Sequence, residues 1–367
     1  MTPTRRGLIG GLCAAGLGAA GLGACGRAGE GQAQAEPAPS PTPPLKSFAR
    51  FPVGCAVSLQ HLNDPSDAAL VARHFSQVTA EWEMKMEYIL RDDGGFRFDA
   101  PDAIAAFARA RGLRLFGHNL IWYAQTSPAF ARIDGEAAAF AAAYRNYILA
   151  VAGRYRGQAV GWDVVNEPVL DDGSGLRDCL WSRNLGGADY IRRALDHAHE
   201  ADPGAVLLIN DYNLESLPRK RATFMRLVEG LLKAGAPIGG IGTQTHLATD
   251  LAGGAVTTAT RDLASLGLPI HVSELDISLN RDRSAFASLA EKRARQYRLA
   301  HETAAAFAAM PNAQRFAFTL WGLRDTESWL RSPKENPSPP WDAPLAFDDA
   351  GRAKPMLAAL AAGFSGR

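Results

Sequence analysis

The feature that most restricts the fold of this chain is an alternation, repeated eight times from Phe51 onward, of short β-rich runs and longer amphipathic stretches. Such an alternation predicts βα units around a parallel sheet, and eight units predict a closed (β/α)8 barrel of the α/β class, a TIM barrel. Ordinary helix signals support this prediction, since Asp99 and Pro101 open a helix that Gly112 closes. The predicted strands are 53–58, 77–80, 113–118, 159–166, 206–211, 238–246, 270–276 and 315–321.

Length and charge narrow the function. The chain has 367 residues, which suits a single barrel of roughly 250 residues with insertions, preceded by a leader. Lys and Arg total 39 against 38 Asp and Glu, so no overall field attracts nucleic acid or an anionic membrane surface. We therefore expect one catalytic domain, a monomer, with a neutral, hydroxyl-rich partner and no nucleic acid.

The first 25 residues have the composition of an export signal. Arg5 and Arg6 precede a run rich in Gly, Ala and Leu that is too short and too weakly apolar to span a membrane. The arginine pair resembles a twin-arginine signal, which directs the export of a folded protein. The sequence LGAC at 22–25 resembles a bacterial lipoprotein box with Cys25 as the lipidated residue, whereas cleavage after Ala35 is the alternative. We expect an exported periplasmic or outer-membrane lipoprotein, or alternatively a secreted protein.

The next segment, 26–46, is rich in Ala and Pro and lacks hydrophobic periodicity, so we predict a disordered tether there and the catalytic barrel over 47–367. For Cys55 and Cys179, two small buried side chains are favoured over a disulfide, because a chain of this size needs no staple. No CxxC or HExxH pattern indicates a metal site, and we expect no cofactor. Five histidines are predicted to be solvated or to lie on helix faces: His61, His74, His197, His199 and His301.

Polar and aromatic side chains occur at the ends of the predicted strands, where TIM barrels carry their catalytic groups. Two of them, Glu167 and Glu274, are carboxylates on separate strands, which is what glycoside hydrolysis requires: one protonates the departing sugar oxygen while the other attacks the anomeric carbon. The polar and aromatic residues at this predicted rim are Glu81, Lys85, His118, Gln125, Asn166, Glu167, Asp211, Gln244, His246, Glu274, Asp276 and Trp321.

Apart from Glu81 and Lys85, these residues stand in six stretches that resemble those of glycoside hydrolase family 10, the retaining endo-1,4-β-xylanases. The resemblance covers the chain from about residue 50 to its end, and the stretches follow the order of the family. They are GHNLIWYAQ at 117–125 (GHTLVWHSQ in the family), WDVVNE at 162–167, NDYN at 210–213, GIGTQTHL at 240–247, SELDI at 273–277 (TELDI) and a WGxxDxxSW pattern at 321–329.

The resemblance implies roles for individual residues. Glu167 is similar to the acid/base of the family and Glu274 to its nucleophile, which forms a covalent glycosyl-enzyme. Hydrogen bonds from His246, and through it from Asp276, would keep Glu274 ionised, whereas Trp162 and repulsion from Glu274 would raise the pKa of Glu167. The residues implied to bind the sugar are Asn166 and Gln244 at the cleavage point, Glu81, Lys85, His118 and Gln125 on the glycone side, and Trp122, Trp321 and Trp329 as aromatic walls.

The chain also departs from the family. Trp82 and Met86 stand where the family usually has Asn and Trp, Tyr123 replaces a histidine, and Phe130 replaces an aromatic that is commonly Trp. We assign these departures to the glycone side, so that substrate preference is less well predicted than chemistry.

The function predicted from the sequence is a metal-independent retaining endo-1,4-β-xylanase that cleaves inside xylan chains. One alternative is a β-glycosidase of altered glycone preference, acting on short xylo-oligosaccharides or β-1,4-glucan. An alternative of another class is a lipoprotein that binds polysaccharide without cutting it. The pair Glu167 and Glu274 argues against this last possibility, because a binding protein needs neither catalytic carboxylate.

Overall fold

The computed structural model describes residues 42–284, 286–338 and 340–366, and its parallel strands close into a barrel. The closed order is β1-β2-β3-β4-β5-β6-β8-β9, with β9 pairing back to β1, while the short β7 extends the edge of β8. The predicted TIM barrel is therefore confirmed. The strands are β1 Val53–Val57, β2 Gln77–Ala80, β3 Arg114–Trp122, β4 Ala159–Asn166, β5 Val206–Asp211, β6 Gly240–Thr243, β7 His246–Ala248, β8 Ile270–Ser278 and β9 Arg315–Leu320.

The sixth predicted strand, 238–246, is interrupted in the structure. β6 ends at Thr243 and β7 begins at His246, because Thr245 between them adopts a left-handed backbone with φ 61°. Its hydroxyl donates to the carbonyl of Thr243 over 3.1 Å, which stabilises the turn. The third predicted strand, in contrast, is longer than expected and continues four residues beyond His118. Both differences lie at the rim where the site residues stand.

Each barrel strand is followed by one long helix, and these eight helices form the outer layer. The helix predicted to open at Asp99 spans Asp99–Ala110, and Gly112 just beyond it has the positive φ of 62° that favours glycine. Four short helices in the loops were not predicted. The helices are α1 Leu59–Asn63, α2 Pro65–His74, α3 Met86–Ile89, α4 Asp99–Ala110, α5 Pro128–Ala131, α6 Ala137–Arg154, α7 Leu180–Leu185, α8 Asp189–Ala201, α9 Pro218–Lys233, α10 Ala255–Ala264, α11 Leu289–Ala308 and α12 Pro355–Phe364.

Close packing between strand and helix layers positions β4. The Trp162 side chain is fully buried and packs against Tyr155 with ring centroids 6.1 Å apart. A Cβ at Gly117 on the neighbouring β3 would lie 2.1 Å from the Trp162 ring, so only glycine fits there. Cys55 and Cys179 are also buried, and each is a free thiol.

The segment before β1 is folded, although residues 42–46 were assigned to the tether. Leu45 is 1% exposed, and its N–H donates to Nδ1 of His74 over 3.3 Å. Lys46 donates to the carbonyl of Ala72 at the end of α2 over 2.7 Å. The sequence thus placed the start of the folded domain too late, because a short 3-10 helix at Leu45–Phe48 carries too few residues to show periodicity.

Two of the histidines lie in helices, as one half of their prediction held, but are not solvated. His61 in α1 is 9% exposed and His74 in α2 is 3% exposed, and each accepts a hydrogen bond from a backbone N–H. The predicted leader, 1–25, and the rest of the tether lie outside the described residues. Within the part that is described, the search for a helix long and apolar enough to cross a membrane finds none.

Candidate active site

A cleft of about 540 Å³ opens at the carboxyl ends of the barrel strands. It brings together the predicted site residues except Asp276, which lies behind His246, and Asp211, which is fully buried in an ion pair with Lys220. The predicted residues along the cleft are Glu81, Lys85, His118, Trp122, Gln125, Asn166, Glu167, Gln244, His246, Glu274, Trp321 and Trp329. The walls also contain Trp82 and Tyr123, two of the departures from the family, and residues to which the sequence assigned no role: Tyr88, Tyr212, Asn213, Arg281 and Lys334.

Glu167 follows directly after β4 and is held there by both its backbone and its side chain. Its backbone is left-handed with φ 57°, and its N–H donates to the carbonyl of Asn210 over 2.7 Å. The Oε1 atom accepts from the amide of Gln244 at 2.9 Å and from the amide of Asn166 at 3.2 Å. The carboxyl group, 8% exposed as a residue, therefore points into the cleft with one oxygen anchored.

Glu274 lies inside β8 and is 4% exposed. Its Oε1 atom accepts from Nδ2 of Asn210 at 2.7 Å, and Oε2 lies 3.4 Å from Nε2 of His246. Burial by itself would raise the pKa of this carboxyl group, but His118, His246 and Lys85 outweigh that effect and hold the pKa below its usual value. Glu274 is thus kept ionised, as a nucleophile must be.

His246 lies between two carboxylates. Its Nδ1 is 2.9 Å from Oδ2 of Asp276, which also accepts from Nε1 of Trp329 at 2.8 Å. Burial lowers the pKa of His246, yet the carboxylates of Asp276 and Glu274 raise it to about 10. The predicted support of Glu274 by His246 and Asp276 is present in the geometry, and Trp329 is tied to the same chain of contacts.

Asn210 is a site residue that sequence reasoning missed. It is fully buried, and its Nδ2 donates both to Glu274 and, over 2.9 Å, to Oδ1 of Asn166. Its own Oδ1 accepts from the hydroxyl of Ser273 at 2.8 Å. Gly242 makes room for it, because a Cβ there would lie 2.3 Å from Oδ1 of Asn210. The signal was available in the stretch NDYN, which was matched to the family without a role for its first residue.

Glu81 and Lys85 also line the cleft, Glu81 buried and Lys85 half-buried, and their charges interact. Burial raises the pKa of Glu81 to about 8, and burial also lowers the pKa of Lys85. The ammonium group of Lys85 lies 5.0 Å from the ring centroid of Trp122 and 5.9 Å from that of Trp321. The rings of Trp122 and Trp321 can stack on a pyranose, and the side chains of Glu81 and Lys85 can form hydrogen bonds with it.

Of the described residues, one set of three metal-binding side chains is close enough to share an ion: the ligand atoms of His118, Asp163 and Glu274 lie within 4.8 Å of one another. Each already has protein partners. Nδ1 of His118 is 2.8 Å from Asp163, and its Nε2 is 3.3 Å from the amide of Asn119. This set is explained by hydrogen bonding alone, and the absence of a metal stays a prediction.

The expected contact between Trp162 and Glu167 is wrong. Trp162 belongs to the layer between β4 and the helices, where it packs on Tyr155, and it does not line the cleft. Successive residues of a strand point to opposite faces, so the odd spacing of five residues between Trp162 and Glu167 already favours opposite sides of β4 over a contact.

The four residues at which the chain departs from the family lie in different parts of the structure. Met86 and Phe130 are buried, 1% and 2% exposed, and do not line the cleft. Trp82 lines the cleft beside the Glu81 and Lys85 pair, as expected for a glycone-side residue. Tyr123 also lines the cleft, and the guanidinium group of Arg177, which donates to the carbonyl of Glu167, lies 4.2 Å above its ring.

Comparison with known proteins agrees with this geometry. The sequence profile of the family described as Glycosyl hydrolase family 10 matches residues 45–362. Exoglucanase XynX of Acetivibrio thermocellus is 36% identical over 85% of this chain, but this chain spans only 28% of that protein. Endo-1,4-beta-xylanase B of Paenibacillus barcinonensis is 36% identical, over 76% of this chain and 86% of its own length. The structure of an intracellular xylanase from Thermoanaerobacterium saccharolyticum, in the complex of a mutant with xylotetraose, is 34% identical with a TM-score of 0.77, and the match covers 87% of this chain and 98% of that one.

Proposed function

This chain belongs to glycosyl hydrolase family 10, and on that basis we propose that it is an endo-1,4-β-xylanase that cleaves internal linkages of xylan with retention of configuration. The resemblance found in the sequence is confirmed by the family match. The observation that carries the proposal is the linkage of Glu167 and Glu274 through Asn166 and Asn210 on neighbouring strands.

The reaction follows from the two carboxyl groups. In the first step Glu274 attacks the anomeric carbon while Glu167 gives its proton to the glycosidic oxygen, so that the leaving sugar departs as an alcohol and a glycosyl ester of Glu274 remains. In the second step Glu167 takes a proton from water, the oxygen of that water attacks the same carbon, and Glu274 is released as a carboxylate. Two inversions give net retention.

The surrounding side chains give each acid its role. Glu274 is in direct contact with the Asn210 amide and with His246, which stabilise its negative charge. Among the described residues, the side-chain partners of Glu167 are Asn166 and Gln244, both on Oε1, which leaves Oε2 to carry the proton toward the substrate. The Asn166 amide lies beside Glu167, where it would reach the 2-hydroxyl of a bound sugar.

The stereochemistry of the first product tests the mechanism. Proton NMR of xylohexaose hydrolysis should show the β-anomer first, followed by slow mutarotation to the α-anomer. Initial appearance of the α-anomer would exclude the double displacement.

A product profile separates the proposed activity from its alternatives. Xylan, xylohexaose and a cello-oligosaccharide should be compared, because one relative is named an exoglucanase and Trp82 departs from the family on the glycone side. Release of mixed oligosaccharides from xylan is expected of an endo-acting enzyme. Preference for the cello-oligosaccharide would favour the glycosidase alternative, and no release of reducing sugar from any of them would favour a binding protein.

The leader supports a proposal about location. Arg5, Arg6 and Cys25 suit export of a folded protein and attachment of a lipid to Cys25. The family does not decide this, since the xylanase from Thermoanaerobacterium saccharolyticum is described as intracellular. Cys25→Ser should move the enzyme from the membrane fraction to the soluble fraction. A wild-type protein that is already soluble and begins at Glu36 would contradict the lipid anchor.

A further inference from the structure

Tyr123 lies on the side of the cleft that belongs to the catalytic acid. It follows β3 and is 38% exposed at the cleft wall. The guanidinium group of Arg177 covers one face of its ring at 4.2 Å. The same group donates from Nε to the backbone carbonyl of Glu167 over 3.1 Å, so the ring and the acid are attached to one side chain.

Arg177 also connects Tyr123 with a second aromatic residue of the cleft. Its Nη2 donates to the hydroxyl of Tyr212 over 2.7 Å, and its guanidinium group lies 6.0 Å from the centre of the Tyr212 ring. The Tyr212 hydroxyl and Nη2 of Arg177 both donate to Asp171. We refer to Tyr123, Arg177 and Tyr212 as the tyrosine wall.

The tyrosine wall is rigid because its base is buried. Lys220 lies 3.2 Å below the centre of the Tyr212 ring and forms an ion pair with Asp211 at 2.8 Å, and neither side chain of this pair is exposed. Two cations therefore contact the aromatic rings: Arg177 lies against Tyr123, and Lys220 lies against Tyr212. An aromatic surface fixed in this way loses little conformational entropy when a ligand stacks on it.

The position of the tyrosine wall indicates which part of the substrate it contacts. In the proposed reaction Glu167 protonates the oxygen of the leaving sugar, so side chains attached to Glu167 through Arg177 face the leaving group. A pyranose presents a flat face of C–H groups that packs against an aromatic ring. The histidine that the family carries at this position is smaller and more polar than tyrosine.

We propose that Tyr123 is a specificity-determining residue that binds the leaving-group sugar, with Arg177 and Tyr212 as its support. The inference rests on the proposed function. It adds a contact between the leaving-group sugar and Tyr123, a residue at which this chain differs from its family. If the inference is correct, the rate at which a bond between two sugars is hydrolysed depends on Tyr123. The rate at which a leaving group without a sugar ring is released does not depend on Tyr123.

The test compares two substrates with the same glycone. Xylotetraose cut at its central bond releases xylobiose, whereas β-xylobiosyl fluoride releases a single atom. Tyr123→Ala should lower kcat/KM for xylotetraose about five- to tenfold while leaving kcat/KM for the fluoride within twofold. Tyr123→Phe should behave like the wild type, because stacking needs the ring and not the hydroxyl.

Tyr88 provides a matched control. It is a tyrosine of similar exposure, 36%, that lines the cleft next to Lys85 on the glycone side. Tyr88→Ala should change both substrates by the same factor. Equal losses on both substrates in Tyr123→Ala would show that this residue only supports the fold, and unchanged values on both would show that the leaving sugar does not touch it; either result overturns the inference. A wild type that cleaves neither substrate would instead refute the proposed function.

Discussion

The side-chain amide of Asn210 lies 2.7 Å from Oε1 of Glu274 and donates to it. The same amide donates to Asn166, which in turn donates to Glu167, so a chain of three hydrogen bonds joins the two catalytic carboxyl groups. A shift of either strand would therefore change the position of both carboxyl groups. Asn210 thus helps to position the two acids, although it is fully buried.

Asn210→Ala should lower kcat/KM for xylan about 10- to 100-fold, because a hydrogen bond to a charged group typically contributes about 1.5–3 kcal/mol. Loss of a donor to the ionised form raises the pKa of a carboxyl group, so the acidic limb of the pH–rate profile should move to higher pH. Kinetics across pH measures both effects, with the exposed Asn146→Ala as control. An unchanged acidic limb would mean that Asn210 does not act through Glu274.

Substitution of Glu167 and substitution of Glu274 should reduce activity on different sets of substrates. Glu167→Ala should lose about 10²–10⁴-fold on xylan, which needs its proton, but retain activity on an aryl xylobioside whose leaving group needs none. Azide should rescue it and give a β-xylobiosyl azide. Glu274→Ala should be inactive on both substrates. Equal loss in the two variants on the aryl substrate would show that the roles are assigned incorrectly.

The raised pKa of His246 should appear in the thermal stability. In the unfolded chain a histidine loses its proton near pH 6.5, whereas the pKa of folded His246 is about 10. The imidazolium therefore contributes stability that is fully present below pH 6.5 and is lost as the pH rises to about 10. The Tm advantage of the wild type over His246→Gln should shrink across this window. Calorimetry at several pH values measures it, with the exposed His199→Gln as reference, and a constant difference would contradict the ion pairs.

Trp82 should limit how the glycone is bound. It stands where the resemblance implies an asparagine that contacts the sugar one unit beyond the cleavage site, and it lines the cleft near His61, with ring centroids 6.4 Å apart. Trp82→Asn should raise kcat/KM for xylotetraose relative to an aryl xyloside about two- to tenfold, the value of one recovered hydrogen bond and the space for it. A ratio that stays within twofold would make Trp82 a packing residue.

The sequence predicted the barrel because strand and helix periodicities report burial directly, and it predicted the two acids because the stretches around them resemble those of a family. It failed where position depends on a single backbone irregularity, since the left-handed turn at Thr245 divides β6 from β7. Trp162 was expected near Glu167, although the odd spacing of five residues favours opposite faces of β4.

The predicted end of the tether was placed too late for another reason. Leu45 is buried by contacts with α2, about 30 residues away in the chain, and such contacts leave no trace in local composition. The catalytic network shows the same limit, since Asn210 and Glu274 are 64 residues apart. Polar side chains that act through distant partners can be found in the sequence only through similarity to a family.

The folded segment Leu45–Phe48 sits where the barrel strands begin, beside the last turn of α2, whereas the cleft opens where the strands end. The chain therefore enters the domain through the face turned away from the substrate. Whatever precedes residue 42 is thus joined to the barrel on the face opposite to the cleft. A long polymer bound in the cleft would not meet the segment by which the chain enters the domain.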